Sequence, residues 1–382
     1  SSITPRLAGV PVFYFPVYSG DPSRPPITDF RVESLSSGDG AIKVTLNPLG
    51  ILGFDREEGF RADLLTDFYF NRGPALGARL EWQRPTAEGS FFGYMVPFDS
   101  GTDIMKSGAK LDREDEFRGI LLAEQRWKID DKWTIFAEGA YLSDEAVVDG
   151  FFEEIGETGR EVTNRVVARR LDENTSLTLE AKGSFNDFLV NEYLLTSQGY
   201  SVSKLPEALY VRQADDLLEG VSPGTLTWFH EYRAGRLGLE FDEVLARDHG
   251  FTNNAVAQRA LGVNANQSVA ERLRDAGFFE DEIHRFDTRQ ELVATLSAGP
   301  VNVTPFVVGR ITAYDDQFDE YAPEENDQVR GFGALGIRLA TTIQRVYDQI
   351  DSALLDIHRI RHIIEPSITA WHAGTNLPMV YA

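Results

Sequence analysis

The chain has 382 residues, and its 60 acidic residues outnumber its 37 lysines and arginines, which gives a formal net charge of −23. This acidity argues against a nucleic-acid-binding protein, because such a protein needs a basic face to displace counterions from phosphate. The absence of cysteine excludes a disulfide scaffold, thiol catalysis and cysteine-ligated metal centres. No apolar run approaches the roughly 18 residues of a transmembrane helix, so the membrane class that remains open is the β-barrel, whose alternating strands are only mildly hydrophobic on average.

The two ends of the chain carry no terminal signals. Ser1–Arg6 have neither the basic nor the apolar region of a signal peptide. The last residues, Leu377–Ala382, follow an apolar-rich stretch without a polar tail. We therefore expect an internal piece of a longer chain.

Apolar and polar residues alternate with a period of two in segments along the whole chain. Leu177 and Leu179, for example, alternate with Thr178, Glu180 and Lys182. This alternation predicts about fifteen half-buried β-strands and no long amphipathic helix outside the connections. The predicted strands are 27–35, 41–53, 59–70, 75–83, 89–97, 117–129, 133–141, 163–171, 176–182, 204–212, 225–241, 286–298, 301–312, 331–342 and 358–371.

The connections alternate between short and long from the middle of the chain onward. Tight turns are predicted at 130–132, 172–174 and 298–300, and long connections at 143–162, 186–199, 244–285 and 315–330. A sandwich has no reason to place all its short turns at one end, whereas a transmembrane barrel has tight turns on its periplasmic side and long loops outside. The connection 343–357 breaks this pattern, because it should be short. The 244–285 connection contains a predicted short helix, Ser268–Arg274, whose role the sequence does not indicate.

All five tryptophans fall within or beside predicted strands, four of them near a strand end. They are Trp82, Trp127, Trp133, Trp228 and Trp371. This placement favours an interfacial aromatic girdle. Ordinary core tryptophans of a soluble β protein are the alternative.

Three sequence patterns of enzymes or metal sites occur in the chain without the residues or context that their chemistry needs. Gly220–Gly224 has the G-x-S-x-G pattern, but Pro223 has no N–H to complete an oxyanion hole. Gly331–Gly336 has the dinucleotide-binding spacing, but an acidic loop precedes it instead of a buried strand. His358 and His362 lack the glutamate of the zinc motif. The sequence therefore predicts no enzyme, no cofactor and no metal site.

Four segments resemble, in order, one family across nearly the whole chain. They are the PVFYFPVY stretch within Val10–Tyr18, the aromatic strand, RG turn and returning strand of Asp67–Trp82, the LPE opening in Lys204–Leu209, and the HIIEP strand His362–Trp371. Together they resemble the outer-membrane lipopolysaccharide-assembly proteins, the LptD/OstA family. The resemblance implies that residues 1–26 end a periplasmic β-jellyroll and hand over to residues 27–382, the first part of an antiparallel transmembrane β-barrel.

The same resemblance implies a function and a set of partners. The function would be non-enzymatic export of lipopolysaccharide into the outer leaflet of the cell outer membrane. The partners would be lipopolysaccharide, outer-membrane lipid, a plug lipoprotein and a periplasmic bridge protein, with no nucleic acid.

Two groups of candidate site residues follow. In the family, the first and last barrel strands meet at a weak seam through which the lipid leaves, and prolines weaken that seam because they cannot donate to the ladder. Phe30 and Val32 lie in the first predicted strand, which has no internal proline, and Pro48 and Leu49 lie in the second; these four are the gate candidates. The strand phase points Leu177, Leu179, Val303 and Val307 to lipid. It places six lumen candidates on the opposite face: Arg79, Glu81, Glu138, Glu180, Lys182 and Arg310.

Two other functions fit part of the sequence. A general porin or solute channel shares the alternation, the girdle and the loop asymmetry, but does not need the Val10–Tyr18 segment. A soluble, secreted, β-rich carbohydrate-binding or hydrolytic protein would have no aromatic girdle.

Overall fold

The computed structural model describes the chain except residues 1–5, 8–9, 12–24, 35–39, 56, 105–109, 153–162, 185–198, 316–327, 353 and 377–382. The strands are β1 (Arg6–Leu7), β2 (Val10–Pro11), β3 (Ile27–Ser34), β4 (Gly40–Leu46), β5 (Phe60–Tyr69), β6 (Gly73–Gln83), β7 (Ala87–Asp99), β8 (Thr102–Ile104), β9 (Lys110–Asp112), β10 (Glu116–Lys128), β11 (Trp133–Leu142), β12 (Asn164–Asp172), β13 (Thr175–Gly183), β14 (Tyr200–Asp216), β15 (Leu226–Phe241), β16 (Glu282–Ala294), β17 (Leu296–Ala298), β18 (Val301–Tyr314), β19 (Val329–Thr341), β20 (Ile343–Ser352), β21 (Ile357–Ile364) and β22 (Ser367–Thr375). The helices are α1 (Pro48–Leu52), α2 (Val147–Phe151), α3 (Asn254–Leu261) and α4 (Val269–Asp275). No helix in this described part of the chain is long and apolar enough to span a membrane.

Most strands belong to one antiparallel sheet in which neighbours in space follow each other in sequence. The order along the sheet is β3-β4-β5-β6-β7-β10-β11-β12-β13-β14-β15-β16-β18-β19-β22. The short strand β17 pairs with β18 beside this path, and β1–β2, β8–β9 and β20–β21 pair separately. Within the described residues, β3 and β22 are therefore the two edges of the sheet. The all-β, antiparallel fold expected from the alternation is confirmed.

Every predicted strand overlaps a strand of the sheet, but several predicted boundaries differ from the structure, and two of the differences concern the candidate gate and the last strand. The second predicted strand, 41–53, ends at Leu46, because Asn47 caps a short helix with Pro48 at its start. The Asn47 side chain accepts a hydrogen bond from the Gly50 N–H at 3.1 Å, and a proline is well tolerated at this first helical position since its missing N–H has no intrahelical partner there. The last predicted strand, 358–371, is two strands, β21 and β22, separated at Glu365 and Pro366.

The connection that broke the predicted pattern of loop lengths is an additional hairpin. β20 and β21 pair with each other, with Ile343 opposite Ile364, and not with the main sheet. β19 then pairs directly with β22. The extra length between these two strands is thus a pair of strands of its own and leaves the up-and-down order unchanged.

The three predicted tight turns lie at the same end of the sheet. They join β10 to β11, β12 to β13 and, through β17, β16 to β18. Because the strands reverse direction at each connection, these turns share one end, here called the short-turn end, and the connections after β7, β11, β15 and β18 share the opposite long-loop end. In the first turn the Asp130 carboxylate accepts hydrogen bonds from the Lys132 and Trp133 N–H groups at 2.8 and 2.7 Å. These bonds lower the pKa of Asp130.

The sheet has one apolar and one charged face. Directly opposed residues of an antiparallel ladder share a face, so the register traces each face from strand to strand. Large apolar side chains on the apolar face are solvent-exposed from β5 to β22. They include Leu64, Phe68, Leu76, Met95, Leu121, Tyr141, Val166, Leu179, Phe286, Leu292, Val307, Ile311, Leu335 and Ile368.

The cores of the described chain lie at the long-loop end. One cluster on the charged face packs Tyr69, Tyr94 and Ile120 against α2. A second cluster is formed within the 242–281 connection, where Phe251 of the loop packs with α3 and α4 and with Ala146, the residue before α2. The long connections thus fold together over this end of the sheet.

Some predictions fall outside the described residues. The acidic loop 315–330 and the connection 186–199 are almost entirely outside them, and only β1 and β2 represent the chain before residue 25. The division into a jellyroll end and a barrel therefore stays a prediction.

Candidate functional site

All six lumen candidates lie on the charged face of the sheet. They are Arg79, Glu81, Glu138, Glu180, Lys182 and Arg310, which the register connects through their opposed partners. The four residues expected to face lipid, Leu177, Leu179, Val303 and Val307, lie on the apolar face. The two groups therefore lie on opposite faces of the sheet, and the assignment of these faces to a lumen and to lipid stays a prediction.

The charged face is held together by ion pairs across strands. The Glu180 carboxylate, 9% exposed, contacts Arg165 Nε at 2.6 Å and Lys204 Nζ at 3.1 Å. Lys204 also contacts Glu207 at 3.0 Å, so one ammonium group bridges two carboxylates that face each other in the ladder. Placing a cation between two acids offsets the repulsion that opposed like charges would cause.

A second group of charges centres on a buried carboxylate. Asp287, 1% exposed, contacts Arg310 Nε at 3.0 Å and Arg285 at 3.4 Å, and it accepts a hydrogen bond from the Thr312 hydroxyl. A buried charge needs such partners because its transfer out of water is costly. Of these four residues the sequence predicted only Arg310. The other three could have been found from their positions in the same alternation.

An open cleft of about 1340 Å³ lies on the charged face towards the short-turn end. Acidic and basic side chains both line it: Glu57, Glu58, Glu81, Glu88, Glu124 and Glu138, with Arg61, Arg126, Arg165 and Arg169. Glu81 and Glu138 are the lumen candidates that the structure brings together here. The mixed charge suits water and polar groups rather than apolar ligands.

A short segment at the long-loop end is inserted against the charged face. This inner segment, residues 143–152, contains α2 and ends in two phenylalanines. The Phe151 ring lies 5.0 Å from the Arg72 guanidinium and 5.1 Å from that of Arg118, and it meets the Tyr69 ring edge-on at 5.2 Å. Two cations and an aromatic ring thus hold one side chain of the segment.

The two arginines that hold Phe151 belong to a buried ion network. Arg72, 1% exposed, contacts Asp99 at 3.0 Å and Asp103 at 2.8 Å. Arg118, equally buried, contacts Asp99 at 2.8 Å and Asp144 of the inner segment at 2.7 Å. Breaking one partner of such a network leaves an uncompensated buried charge, so the network fixes the inner segment to strands β7 and β10.

Asp144 connects the inner segment to this network. Burial acts to raise the pKa of its carboxyl, but the hydrogen bonds and positive charge of Arg118, with the charge of Arg113, outweigh burial and lower the pKa. Asp144 therefore stays ionised near neutral pH. Apart from the RG turn at Arg72, no sequence pattern indicates this network, because its members come from separate strands and connections.

The long 242–281 connection, whose role the sequence did not indicate, packs onto the inner segment. Ala146 lies in the same core as Phe251, Leu261 and Val269. The buried His249 ring contacts the Asp242 carboxylate at 3.0 Å. This contact closes the first part of the connection, residues 242–249. The inner segment and the 242–281 connection therefore form one cap over the charged face.

The structure does not bring the four gate candidates together in one strand pair. Phe30 and Val32 lie on the apolar face of β3, which is an edge strand within the described residues. Pro48 and Leu49 lie in α1, beyond the end of β4. The placement of Pro48 inside a strand is wrong, because the Asn47 cap starts a helix before the proline; a role of these residues in a gate stays a prediction.

The strand order, the two faces and the connections together define the class of this protein. An up-and-down antiparallel sheet with an exposed apolar face, an ion-paired face, tight turns at one end and long loops at the other is the wall of an outer-membrane β-barrel.

Comparison with known proteins finds similarity to solved structures. No family model and no curated protein match the chain. One similar solved structure is a bacterial polysaccharide outer membrane secretin, 10% identical, with 88% of this chain and 89% of that chain covered and a TM-score of 0.29. Another is OccK10 (OpdN) of Pseudomonas aeruginosa, 10% identical over 92% and 96% of the two chains, with a TM-score of 0.20.

Proposed function

We propose that this chain forms part of an outer-membrane barrel that delivers lipopolysaccharide into the outer leaflet. The observation that carries the proposal is the contrast between the two faces of one sheet. The exposed apolar face suits lipid, and the ion-paired face with its mixed-charge cleft suits a hydrated lumen. The same wall can therefore border hydrocarbon on one face and water on the other, the two environments that a lipid with a polar head requires.

Lipopolysaccharide combines apolar acyl chains with a large polar and anionic head. The sugars and phosphates would travel along the charged face, where Arg61, Arg126, Arg165 and Arg169 line the cleft. The acyl chains would leave at the edge strand β3, whose Phe30 and Val32 lie on the apolar face. The ordered resemblance to the lipopolysaccharide-assembly family supports this choice of cargo.

The proposed transport needs partners and no catalytic step. Lipopolysaccharide and outer-membrane lipid would contact the two faces of the wall. A plug lipoprotein would fill the lumen, and a periplasmic bridge protein would deliver the cargo at the short-turn end. The barrel would move its cargo without catalysing a reaction.

A general solute channel is the second candidate. The inner segment packs against the charged face at the long-loop end, as the constricting loop of a channel would. The cleft on the same face, towards the short-turn end, is lined by both signs of charge. Such a channel would pass small polar solutes and would need no lateral exit.

Depletion of the full-length protein in cells distinguishes lipopolysaccharide delivery from a solute channel. We expect newly delivered surface lipopolysaccharide per cell to fall, with uptake of small sugars unchanged. The double variant Arg165→Gln, Arg169→Gln should lower delivery per folded barrel several-fold, because the head group loses two cationic partners. Arg247→Gln, in an exposed loop, is the matched control. Loss of sugar uptake with normal lipopolysaccharide delivery would identify a solute channel instead.

A further inference from the structure

A group of polar and aromatic side chains occupies the apolar face near the short-turn end. This headgroup cluster consists of Tyr210, Arg212, Asp215, Trp228, His230 and Tyr232, on the adjacent strands β14 and β15. The register places Arg212 opposite His230, Tyr210 opposite Tyr232 and Asp215 opposite Trp228. The apolar residues Leu177 and Leu292 flank the cluster on the same face.

Three polar members of the cluster, Arg212, Asp215 and His230, contact one another. Arg212 Nε lies 2.6 Å from the Asp215 carboxylate, and His230 Nε2 lies 3.3 Å from the same group. The His230–Asp215 contact does not have hydrogen-bond geometry, and both buried ring nitrogens of His230 are without a hydrogen-bond partner among the described residues. A guanidinium has five N–H donors, so the Nε bond leaves Arg212 able to bind an additional acceptor, and its side chain is 41% exposed.

Aromatic rings surround these charges. The Trp228 ring stacks on His230 with centroids 4.4 Å apart, and the two tyrosines meet the His230 ring edge-on at 6.1 and 5.6 Å. Trp228 Nε1 donates to Gln290 at 3.0 Å, which holds the indole in place. Rings of this kind attract a cation to their faces.

The position of the cluster matches the level of lipid head groups. Trp82, Trp127 and Trp133 also lie on the apolar face near the short-turn end. Tryptophans concentrate where hydrocarbon meets water. A charged pair is costly at the centre of a bilayer but not at this level, where it can contact head groups.

We propose that the headgroup cluster binds one zwitterionic phospholipid from the leaflet at the short-turn end, with its phosphate on Arg212 and its ammonium group at Asp215 and the aromatic rings. The inference rests on the outer-membrane placement of the wall. One cation and one anion in contact match a head group that carries one of each. An anionic lipid would be repelled by Asp215, so charge complementarity selects the zwitterionic head.

Retention of lipid by the purified full-length barrel tests the inference. The barrel is reconstituted in nanodiscs of equal phosphatidylethanolamine and phosphatidylglycerol, extracted into mild detergent, and examined by native mass spectrometry. We expect one phosphatidylethanolamine to stay bound. Arg212→Gln and Asp215→Asn should each weaken its retention about tenfold, since each removes a charge-assisted contact, and Arg212→Lys should retain more than Arg212→Gln.

Arg236→Gln is the matched control. Arg236 lies on the same face of β15, pairs with the acidic Glu282 and is 46% exposed, but it lies away from the cluster towards the long-loop end. Equal loss of lipid in this variant, or no loss in the two cluster variants, would overturn the inference. Preferential retention of phosphatidylglycerol that increases in Asp215→Asn would also overturn it. A wild-type barrel that does not enter the nanodisc bilayer would instead refute the membrane placement itself.

Discussion

At the scale of single residues, adjacent side chains of one strand face opposite environments. Leu179 lies exposed on the apolar face, whereas Thr178 lines the cleft on the charged face. We expect Leu179→Arg to lower the free energy of unfolding in lipid vesicles by about 2–4 kcal/mol and Thr178→Arg to cost much less. Denaturant titration of the reconstituted full-length protein measures both. Equal costs would mean that the two faces are assigned to the wrong solvents.

Pro48 shows how the position of one residue changes an expectation. In a strand, Pro48→Ala would restore a ladder donor and strengthen a gate. In α1 the proline occupies the first helical position, where the substitution adds no intrahelical bond. We therefore expect Pro48→Ala to leave both lipopolysaccharide delivery and heat-modifiable migration within error of wild type. Slower delivery by a normally folded variant would show that α1 takes part in the gate by another route.

At the scale of elements, the inner segment is attached to the wall by few side chains. Phe151, 5% exposed, lies between two buried arginines, and truncating a buried phenylalanine costs about 3–5 kcal/mol. We expect Phe151→Ala to release the segment locally and to raise solute flux through the reconstituted full-length barrel, while the sheet stays folded. Sugar-driven swelling of proteoliposomes measures the flux.

Leu52→Ala serves as the comparison for Phe151→Ala, because Leu52 of α1 is 68% exposed. It should leave the swelling rate unchanged. An unchanged rate in the Phe151 variant with intact heat-modifiable migration would show that the inner segment does not narrow the path.

At the scale of the whole molecule, the two ends of the sheet should face opposite compartments. The chain has no cysteine, so single cysteines report position directly. Asp131 is fully exposed in a tight turn and Asp248 is 57% exposed in the 242–281 connection. We expect a bulky polyethylene-glycol maleimide to label Asp248→Cys on intact cells, and Asp131→Cys only after the outer membrane is permeabilised. The reverse pattern would invert the proposed orientation.

The sequence alone determined the strands, their phase and the end at which the tight turns lie. These features are local: a period of two assigns each side chain to a face, and Asp130 fixes its turn through N–H groups two and three residues ahead. The predicted end of the second strand was wrong for a local reason. The apolar run after Asn47 continues the alternation, but Asn47 caps a helix that begins at Pro48. The seam and the cargo stay predictions, since they rest on resemblance.

The segments that lie against the charged face are determined by tertiary contacts. Arg72, Asp99, Arg118 and Asp144 come from separate strands and connections, and the contacts among these four join residues 19 to 27 positions apart. Connections have no periodicity that would reveal their partners. The positions of the inner segment and the 242–281 connection are therefore determined by the burial of charged and apolar side chains from distant parts of the chain. These side chains meet only once the sheet has formed.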